Sequence, residues 1–259
     1  MSDNPTMAQL GTILSIWAHP DDETYLAAGL MSAAVRYGQR VVCVSATAGE
    51  RGTDDPAEWP PARLGQVRRW EASAAMAVLG VDEHRFLGLP DGELAAHEAE
   101  GRALVGELFD EIRPDTILTF GPDGMTFHPD HIAVHRWVTE AWNRRGCVER
   151  LLHATTTVEH VRRFGELYED WNMYMTDERP VGVPAAELAV HVHLDGAGLD
   201  RKLTALRAMA TQTSGLMAML DPDVYASQVA EEAFVEATAP AAWPAGSEEL
   251  LTGAAGIWM

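Results

Sequence analysis

The sequence predicts an α/β fold, a Rossmann-like and mostly parallel sheet with helices on both faces. The first observation is that short apolar segments alternate with longer amphipathic stretches between residues 13 and 156. The second is that Gly38, Gly80 and Gly146 stand just past three of the amphipathic stretches, where helix-ending residues are expected. This alternation is typical of βαβ units, in which a helix connects two parallel strands.

Five short, apolar segments are predicted to be buried strands, and four amphipathic stretches are predicted to be the connecting helices. The strands are 13–17, 41–45, 85–87, 116–120 and 151–156, and the helices are 24–37, 63–79, 98–112 and 132–145. In the strand order 3-2-1-4-5 of a Rossmann-like half, strands one and four are neighbours across the switch point. The loops that follow these two strands should therefore open at the same crevice.

Beyond residue 158 the pattern weakens. A polar and aromatic stretch, 162–184, holds Trp171 and Tyr174, and a predicted strand (188–194) and helix (199–213) follow it. The segment of about 158–185 is a candidate lid, because loops at strand ends commonly carry specificity; the alternative is that its rings only anchor a long connection. The tail after Ala239 is expected to wrap the surface or to contact a second copy.

Composition indicates a soluble enzyme with one domain. With 259 residues, 47% of them hydrophobic, the chain is predicted to form a single domain over 1–259 with a core of about 10–235. No cationic residue precedes Arg36 and no apolar stretch approaches the roughly 20 residues of a membrane span, so we expect a cytoplasmic protein with no membrane partner. There Cys43 and Cys147 should both be reduced. The net charge of −20, with Lys202 as the sole lysine, opposes binding to nucleic acid.

Two runs of histidines and carboxylates follow predicted strands one and four. The first is His19-Pro20-Asp21-Asp22-Glu23 and the second is His128-Pro129-Asp130-His131. Acidic residues and prolines in a first helical turn are ordinary capping residues, which is the alternative interpretation. Capping does not explain three histidines at two strand ends, so we predict a metal site at the C-terminal ends of strands 1 and 4.

A catalytic zinc ion needs three protein ligands and one position left open for water. His19 and Asp22 stand three residues apart, so both side chains can converge on one point if a helix starts after the proline, and His131 can arrive from the second run. Asp21, His128 and Asp130 then remain for proton transfer and orientation.

Both runs resemble the signatures of the PIG-L/LmbE-like deacetylases, zinc enzymes that remove acetyl groups from N-acetylglucosamine-type substrates and include the deacetylases of mycothiol and bacillithiol synthesis. The order and distance of the two runs make the resemblance specific, and it covers about residues 10 to 235. Further matches are Ala46-Thr47-Ala48-Gly49-Glu50, Arg68 with Glu71, Leu89-Pro90-Asp91-Gly92, and Lys202, Ala205, Leu206 and Gln212.

The resemblance implies a role for each residue of the two runs. His19, Asp22 and His131 match the family's ligands for Zn²⁺, or another divalent metal, and Asp21 matches its general base. His128 matches the second catalytic group, which as an imidazolium would stabilise the oxyanion and help to protonate the leaving amine. Asp130 would fix the tautomer of His128 and raise its pKa.

Substrate contacts are expected from Arg68, Glu50 and Asp91. Arg68 matches a substrate-binding arginine of the family, with an ion pair to Glu71 on the same helix as the alternative. Glu50 and Asp91 lie in loops after predicted strands two and three. His135 is four residues beyond His131 but is not expected to bind metal, since three ligands are already supplied.

Two departures from the family pattern bear on the substrate. Several relatives in the thiol pathways carry a tyrosine where this chain has Thr126, and many have a histidine where it has Met209. We therefore expect a deacetylase of a small N-acetylated sugar or sugar conjugate, with a homo-oligomer as one option for its assembly. The alternatives are an amidase of the same chemistry that cleaves a larger acyl or thiol-conjugate amide, and a catalytically silent sugar-binding module.

Overall fold

The computed structural model describes residues 10–171 and 173–239, which contain a seven-stranded sheet. In chain order its strands are Ile13–Trp17 (β1), Val41–Ser45 (β2), Glu83–Phe86 (β3), Thr116–Phe120 (β4), Arg150–Thr155 (β5), Val190–His193 (β6) and Glu231–Glu236 (β7). The strand order is β3-β2-β1-β4-β5-β7-β6, in which β1 to β5 pair in parallel and β7 pairs antiparallel with both of its neighbours. The predicted mostly parallel sheet and the adjacency of strands one and four are confirmed.

Eight α-helices connect or flank these strands in the described ranges. They are Asp22–Arg36 (α1), Pro61–Leu79 (α2), Glu98–Ile112 (α3), Pro129–Arg144 (α4), Val158–Asp170 (α5), Gly196–Ala208 (α6), Ala210–Met219 (α7) and Pro222–Val229 (α8). Helices α1, α2 and α6 pack against one another, and α3 packs on α4. Because the chain reverses direction along the sheet after β3, right-handed crossovers put these two groups on opposite faces.

The core lies between the parallel strands and these helices. Strands β1, β2 and β4 are buried at every residue, which explains why their sequences are continuously apolar rather than alternating. Gly80 ends α2 in the left-handed conformation at φ 81°, as its position in the sequence predicts. No helix within the described ranges joins the length and apolar character needed to cross a bilayer.

The C-terminal third differs most from the prediction. Residues Val158–Asp170 form helix α5, although no helix was predicted in this segment. The single helix expected at 199–213 is instead two helices, α6 and α7, which are separated at Met209. Helix α5 has apolar residues at helical spacing, Val158, Val161, Phe164 and Leu167, so its periodicity was visible in the sequence and was missed, although only Phe164 is buried. Strand β7 and helix α8 were not predicted, and the expected tail contact beyond Ala239 lies outside the described residues.

Candidate active site

The two predicted runs meet at the carboxyl edge of the sheet because β1 and β4 are hydrogen-bonded neighbours. The first run leads directly from β1 into α1, and the second leads from β4 into α4. Pro129 occupies the first turn of α4, and the side chain of His128 caps that helix by accepting a hydrogen bond from the Asp130 N–H. Each run therefore passes from the end of its strand into the first turn of a helix, which places the side chains of both runs in the same crevice.

Three side chains converge at this crevice. His19 Nδ1 lies 3.2 Å from His131 Nε2 and 3.5 Å from Asp22 Oδ2, and Asp22 Oδ1 lies 3.3 Å from His131 Nε2. All three residues are buried. Ligand atoms on a tetrahedral zinc ion stand about 3.3 Å apart, given bonds of about 2.0–2.1 Å. The spacing of these atoms therefore fits a divalent cation between them.

The surroundings of His131 leave the correct nitrogen free for a metal. Its Nδ1–H donates to the carbonyl oxygen of Gly124 over 2.8 Å, which leaves the lone pair on Nε2, and its ring stacks on Phe120 at 4.2 Å. A Cβ on Gly124 would lie 2.8 Å from the His131 Cβ, so only glycine allows this approach. Burial lowers the pKa of His131 to about 4, which keeps the imidazole neutral as a ligand must be.

His19 is held from its other side by two carboxylates. Its Nε2 lies 3.1 Å from Asp91 Oδ1 and 3.3 Å from Asp130 Oδ2. Asp130 is fixed in turn by the N–H groups of Gly92 and Leu94, which donate over 2.7 and 3.0 Å. An N–H on Nε2 directed at these carboxylates leaves Nδ1 as the metal-facing atom.

Charge in the site is arranged to hold a cation. Burial disfavours the charged imidazole of His19, yet hydrogen bonds with Asp130, Asp22 and Asp91 raise its pKa well above the ordinary value. Burial likewise disfavours the Asp22 carboxylate, but His131 and His19 hold its pKa well below the ordinary range. A divalent ion at Nδ1 would take the place of the second proton of His19 among these carboxylates.

Asp21 stands beside the candidate ligand Asp22 and lines the same cavity. Burial raises the pKa of its carboxyl to about 7, an effect that Arg68 opposes and Asp22 reinforces. Its Oδ2 accepts from Arg68 Nη2 over 3.2 Å, and its N–H donates to Glu23 Oε2 over 3.1 Å. A carboxylate that titrates near neutrality can take and return a proton, as a general base requires.

The guanidinium of Arg68 is buried against the loop that carries Asp21. Nη1 donates to the Gly49 carbonyl over 2.7 Å, and Nη2 donates to the Pro20 carbonyl over 2.6 Å as well as to Asp21. The alternative pairing with Glu71 is not what the structure has, because Glu71 accepts instead from the backbone and hydroxyl of the second residue of α7. Arg68 also borders the cavity, at 3% exposure.

Two expectations about His128 need correction. Asp130 does fix its tautomer, but through the backbone: the Asp130 N–H donates to His128 Nδ1 over 3.1 Å, so the neutral ring carries its proton on Nε2, while the Asp130 carboxylate contacts His19. The pKa of His128 is lowered rather than raised, because burial and the nearby His19 outweigh the attraction of Asp130. This lowered pKa favours the neutral ring at pH 7, in which Nε2–H can donate a hydrogen bond.

The other expected site residues are distributed around this centre. Glu50 accepts a hydrogen bond from the Asp91 N–H over 3.0 Å and so supports the Asp91 loop from behind. Thr126 lines the cavity, whereas Met209 is buried at the break between α6 and α7. His135 Nδ1 lies 2.9 Å from the Phe120 carbonyl oxygen, outside the two groups of potential metal ligands among the described residues.

Both of those groups contain His19. One joins it to His128 and His131, and the other joins it to Asp91 and Asp130, with the ligand atoms of each group within 4.8 Å of one another. The rings of His19 and His128 meet edge to face at 4.9 Å. The group with two carboxylates lies on the Nε2 side of His19, where it orients the ring. Asp22 completes the set on the Nδ1 side.

The rest of the cavity, which encloses about 540 Å³, is formed by Trp171 and Tyr174 of the segment considered as a candidate lid and by residues that sequence reasoning missed. Its walls include side chains from α5, α7, α8 and β7 and from residues 173–175. Glu23 is fully buried beside Asp21, and burial raises its pKa to about 8. His160 lies in neither run and also lines the cavity.

Comparison with known proteins assigns the family. The model of the PIG-L family, described as GlcNAc-PI de-N-acetylase, matches residues 14–142, which include both runs. A 1D-myo-inositol 2-acetamido-2-deoxy-alpha-D-glucopyranoside deacetylase from Saccharomonospora viridis is 33% identical over 241 residues, which cover 83% of this chain and 88% of the relative.

Solved structures share the fold. The N,N'-diacetylchitobiose deacetylase from Pyrococcus horikoshii aligns with a TM-score of 0.60 at 20% identity, over 90% of this chain and 86% of that one. The 4-carboxy-2-hydroxymuconate hydratase from Pseudomonas putida aligns equally well, with a TM-score of 0.60 at 17% identity over 90% and 99% of the two chains. The fold alone thus accommodates different chemistry. The 33% sequence identity to the Saccharomonospora viridis deacetylase, over 83% of this chain, is more specific than the shared fold, and the chain belongs to the PIG-L family of deacetylases.

Proposed function

We propose that this protein is a zinc-dependent N-deacetylase that hydrolyses the acetamide of an N-acetylglucosamine unit carried by a small sugar conjugate. The observation that carries the proposal is the convergence of His19 Nδ1, Asp22 and His131 Nε2 within 3.2–3.5 Å beside the half-buried Asp21 carboxyl. The names of the curated relatives support the substrate class, and the cavity of about 540 Å³ is within the usual size range of small-molecule sites.

Zinc bound by His19, Asp22 and His131 would lower the pKa of water towards ~7 and polarise the amide carbonyl. Asp21 takes a proton from the attacking water as the oxygen of that water bonds to the carbonyl carbon. The neutral His128 donates its Nε2–H to the carbonyl oxygen as negative charge develops there. Asp21 then returns its proton to the nitrogen while the C–N bond breaks, which gives acetate and the free amine.

In this mechanism Asp21, rather than His128, protonates the leaving amine, which differs from the role that the family resemblance implies for His128. Because the lowered pKa of His128 favours its neutral form at pH 7, few molecules carry an imidazolium that could protonate the leaving amine, and this step is assigned to Asp21. Arg68 positions Asp21 for this step, because its Nη2 donates hydrogen bonds to the Asp21 carboxylate and to the carbonyl oxygen of Pro20. Asp91 and Asp130 serve it indirectly by orienting His19.

The test is acetate release over a panel of N-acetylated sugars, with the free amine detected in parallel. Protein stripped with a chelator should be inactive and should regain activity with stoichiometric Zn²⁺. A stripped protein that still releases acetate would contradict metal dependence. Hydrolysis of long-chain acyl or thiol-conjugate amides in preference to acetamides would favour the amidase alternative, and binding without any hydrolysis would favour the silent module.

A further inference from the structure

One part of the cavity is built from aromatic and thioether side chains. Tyr168, Trp171, Met173 and Tyr174, the aromatic wall, line the same cavity as His19 and His131. The ring of Tyr168 lies 6.0 Å from that of Trp171 and meets the edge of Tyr174 at 6.3 Å. The wall therefore presents a connected surface of rings.

Contacts with neighbouring polar and charged side chains fix two rings of the aromatic wall, Tyr174 and Tyr168. The guanidinium of Arg179 stacks over the ring of Tyr174 at 4.8 Å and is itself fixed by a two-point ion pair with Glu169. Tyr168 OH accepts from Gln228 Nε2 over 2.7 Å and lies 2.8 Å from His160 Nε2. Rings fixed in this way lose little conformational freedom when a ligand binds.

The polar atoms behind the wall are bonded to one another. His160 Nδ1 lies 3.1 Å from Glu231 Oε2, which also accepts from the Thr157 hydroxyl over 3.0 Å, and Glu231 Oε1 lies 2.6 Å from His191 Nε2. When His160 donates its Nδ1–H to Glu231, its Nε2 carries a lone pair and accepts a hydrogen bond from the phenol O–H of Tyr168. The phenol and both carboxylate oxygens are therefore already occupied.

A site that selects a polyol needs free donors and acceptors aimed at its hydroxyls. The aromatic wall offers ring faces, ring edges and a thioether, and these favour a flat apolar group. We propose that the aromatic wall binds an aromatic group attached to the amino sugar, so that the natural substrate is an aryl conjugate rather than a sugar linked to a second polyol. This inference rests on the proposed function, since it takes the acetamide to lie at the metal end of the same cavity.

Equilibrium binding tests the inference without turnover. The probes are the phenyl, cyclohexyl and methyl glycosides of glucosamine, and only glycosides of the same anomer are compared. Their dissociation constants are measured by calorimetry on wild-type protein with added ZnCl₂. The phenyl glycoside should bind about tenfold or more tightly than the methyl glycoside and more tightly than the cyclohexyl glycoside. Equal affinity for phenyl and methyl, equal affinity for phenyl and cyclohexyl, or tighter binding of a myo-inositol glycoside would overturn it.

Variants locate the effect at the aromatic wall. Trp171→Ala should reduce the phenyl-to-methyl affinity ratio about fivefold or more, whereas Trp70→Ala, which removes a tryptophan exposed on α2 and outside the cavity lining, should keep the wild-type ratio. Met173→Glu, in the connection between α5 and β6, should reduce the ratio as well and guards against a folding defect in the first variant. An unchanged ratio in both wall variants would contradict the inference.

Kinetics separate this inference from the proposed function. If the N-acetyl forms of all three glycosides release no acetate while the phenyl probe binds tightly, the proposed function fails and the aryl site stands. If all three release acetate with the same kcat/KM and bind alike, the proposed function stands and the aryl site fails.

Discussion

Asp21 combines its chemical position with an unusual backbone. Its φ of 126° and ψ of −34° lie where residues with a side chain are rarely found, and such strain costs on the order of 1–3 kcal/mol. The conformation is held by Arg68, which binds both the Pro20 carbonyl and the Asp21 carboxylate, and by the Asp21 N–H on Glu23. The strained turn brings two successive carboxylates, Asp21 and Asp22, to one site with different partners.

Asp21→Asn should separate catalysis from metal binding. The amide has nearly the same shape but cannot take a proton, so kcat should fall on the order of a hundredfold or more while zinc content stays at the wild-type level. Both are measured on one preparation, by acetate release and elemental analysis. Asp54→Asn, at an exposed loop position, is the matched control and should change neither. Activity near wild type in Asp21→Asn would mean that another group is the base.

Arg68→Ala tests whether this arginine positions Asp21 or binds substrate. Because its guanidinium is directed at two carbonyls and Asp21, we expect kcat to fall by about tenfold or more with a change of less than about threefold in KM. Arg69→Ala, which removes the neighbouring guanidinium over Phe86, should leave both constants near wild type. A rise in KM with kcat intact would instead support the substrate contact that the resemblance implies.

Individual ligand candidates were accessible to sequence reasoning, but their partners were not. The spacing of His19 and Asp22 and the helix start at Pro129 are local, so the convergence of donors could be anticipated. The contact of Asp130 with His19 depends on the 91–94 loop, which supplies N–H groups from a distant part of the chain. Nothing local to Asp130 distinguishes a side chain that orients His19 from one that orients His128.

At the scale of elements, a buried ion pair joins α1, α6 and β7. Lys202 Nζ donates to Glu232 Oε1 over 2.8 Å and to the Tyr25 carbonyl over 2.6 Å, and both charged side chains are fully buried. The N–H groups of Gly29 and Leu30 donate to the same carboxylate over 2.7 and 2.9 Å. Lys202 thus binds a carbonyl oxygen of α1, and Glu232 binds two N–H groups one turn further along the same helix.

Lys202→Met should destabilise the protein by about 3–5 kcal/mol, because it leaves the Glu232 carboxylate buried without its partner. The free energy of unfolding is measured by urea titration. Adding Glu232→Gln to this variant should recover part of the loss, since a neutral amide oxygen can still accept from the helix. Arg201→Met, on the neighbouring position of α6, should shift the midpoint little. A Lys202→Met midpoint equal to wild type would show that the pair contributes nothing.

Glu231, at the start of β7, should make stability depend on pH in the acid range. Hydrogen bonds from His160, His191 and Thr157 outweigh the effect of burial and lower its pKa from 4.5 to about 2. A carboxyl with a depressed folded-state pKa contributes stability that is present above its unfolded value and is lost as pH falls through the folded value. The contribution of Glu231 should therefore be complete above about pH 5 and vanish near pH 2.

The variant Glu231→Gln isolates this contribution. Its melting temperature should lie below that of wild type at pH 7, and the gap should narrow steadily between pH 5 and pH 2. Glu236→Gln, at the other end of the same strand, is the control for removal of a carboxylate. A gap between Glu231→Gln and wild type that stays constant down to pH 2 would contradict the depressed pKa.

Elements with strong periodicity were predictable and those held by tertiary contacts were not. Strands β1, β2 and β4 are continuously apolar and were located to the residue. Strand β7 reads Glu-Glu-Ala-Phe-Val-Glu, a sequence whose acidic residues disfavour a strand until Glu232 meets Lys202 and Glu231 meets two histidines. Its place in the sheet depends on partners far away in the chain.

For the molecule as a whole, the order of the parallel strands creates the site. Residues 19–22 and 128–131 come together only because β1 and β4 are neighbours, and the βαβ pattern was sufficient to predict this. The cavity beyond the metal ligands is different, because it is completed by α5, α7, α8 and the antiparallel β7. Those elements lie beyond residue 158, where the alternation of strands and helices weakens, so the convergence of the candidate ligands was predictable from the sequence and the shape of the cavity was not.

Metal binding should couple the site to the stability of the whole fold. A ligand that binds only the folded state stabilises it by RT ln(1 + [L]/Kd), about 2.7 kcal/mol at a hundredfold excess over Kd. Because His19 and Asp22 come from the start of α1 and His131 from α4, a bound ion joins two helices that start at neighbouring strands. Chelation should therefore lower the melting temperature of wild-type protein, and Zn²⁺ should restore it.

Two histidines on one face of α4 make this prediction specific. His131→Ala should lose most of its bound zinc, and its melting temperature should no longer respond to added Zn²⁺, because one of three ligands is gone. His135→Ala removes an identical side chain one turn further along α4, where the imidazole bonds to a backbone carbonyl, and should keep both zinc and the thermal response. The measurements are elemental analysis and thermal melts with and without chelator. Full zinc occupancy in His131→Ala, or an equal loss of zinc in both variants, would refute the ligand assignment while leaving the family and the fold intact.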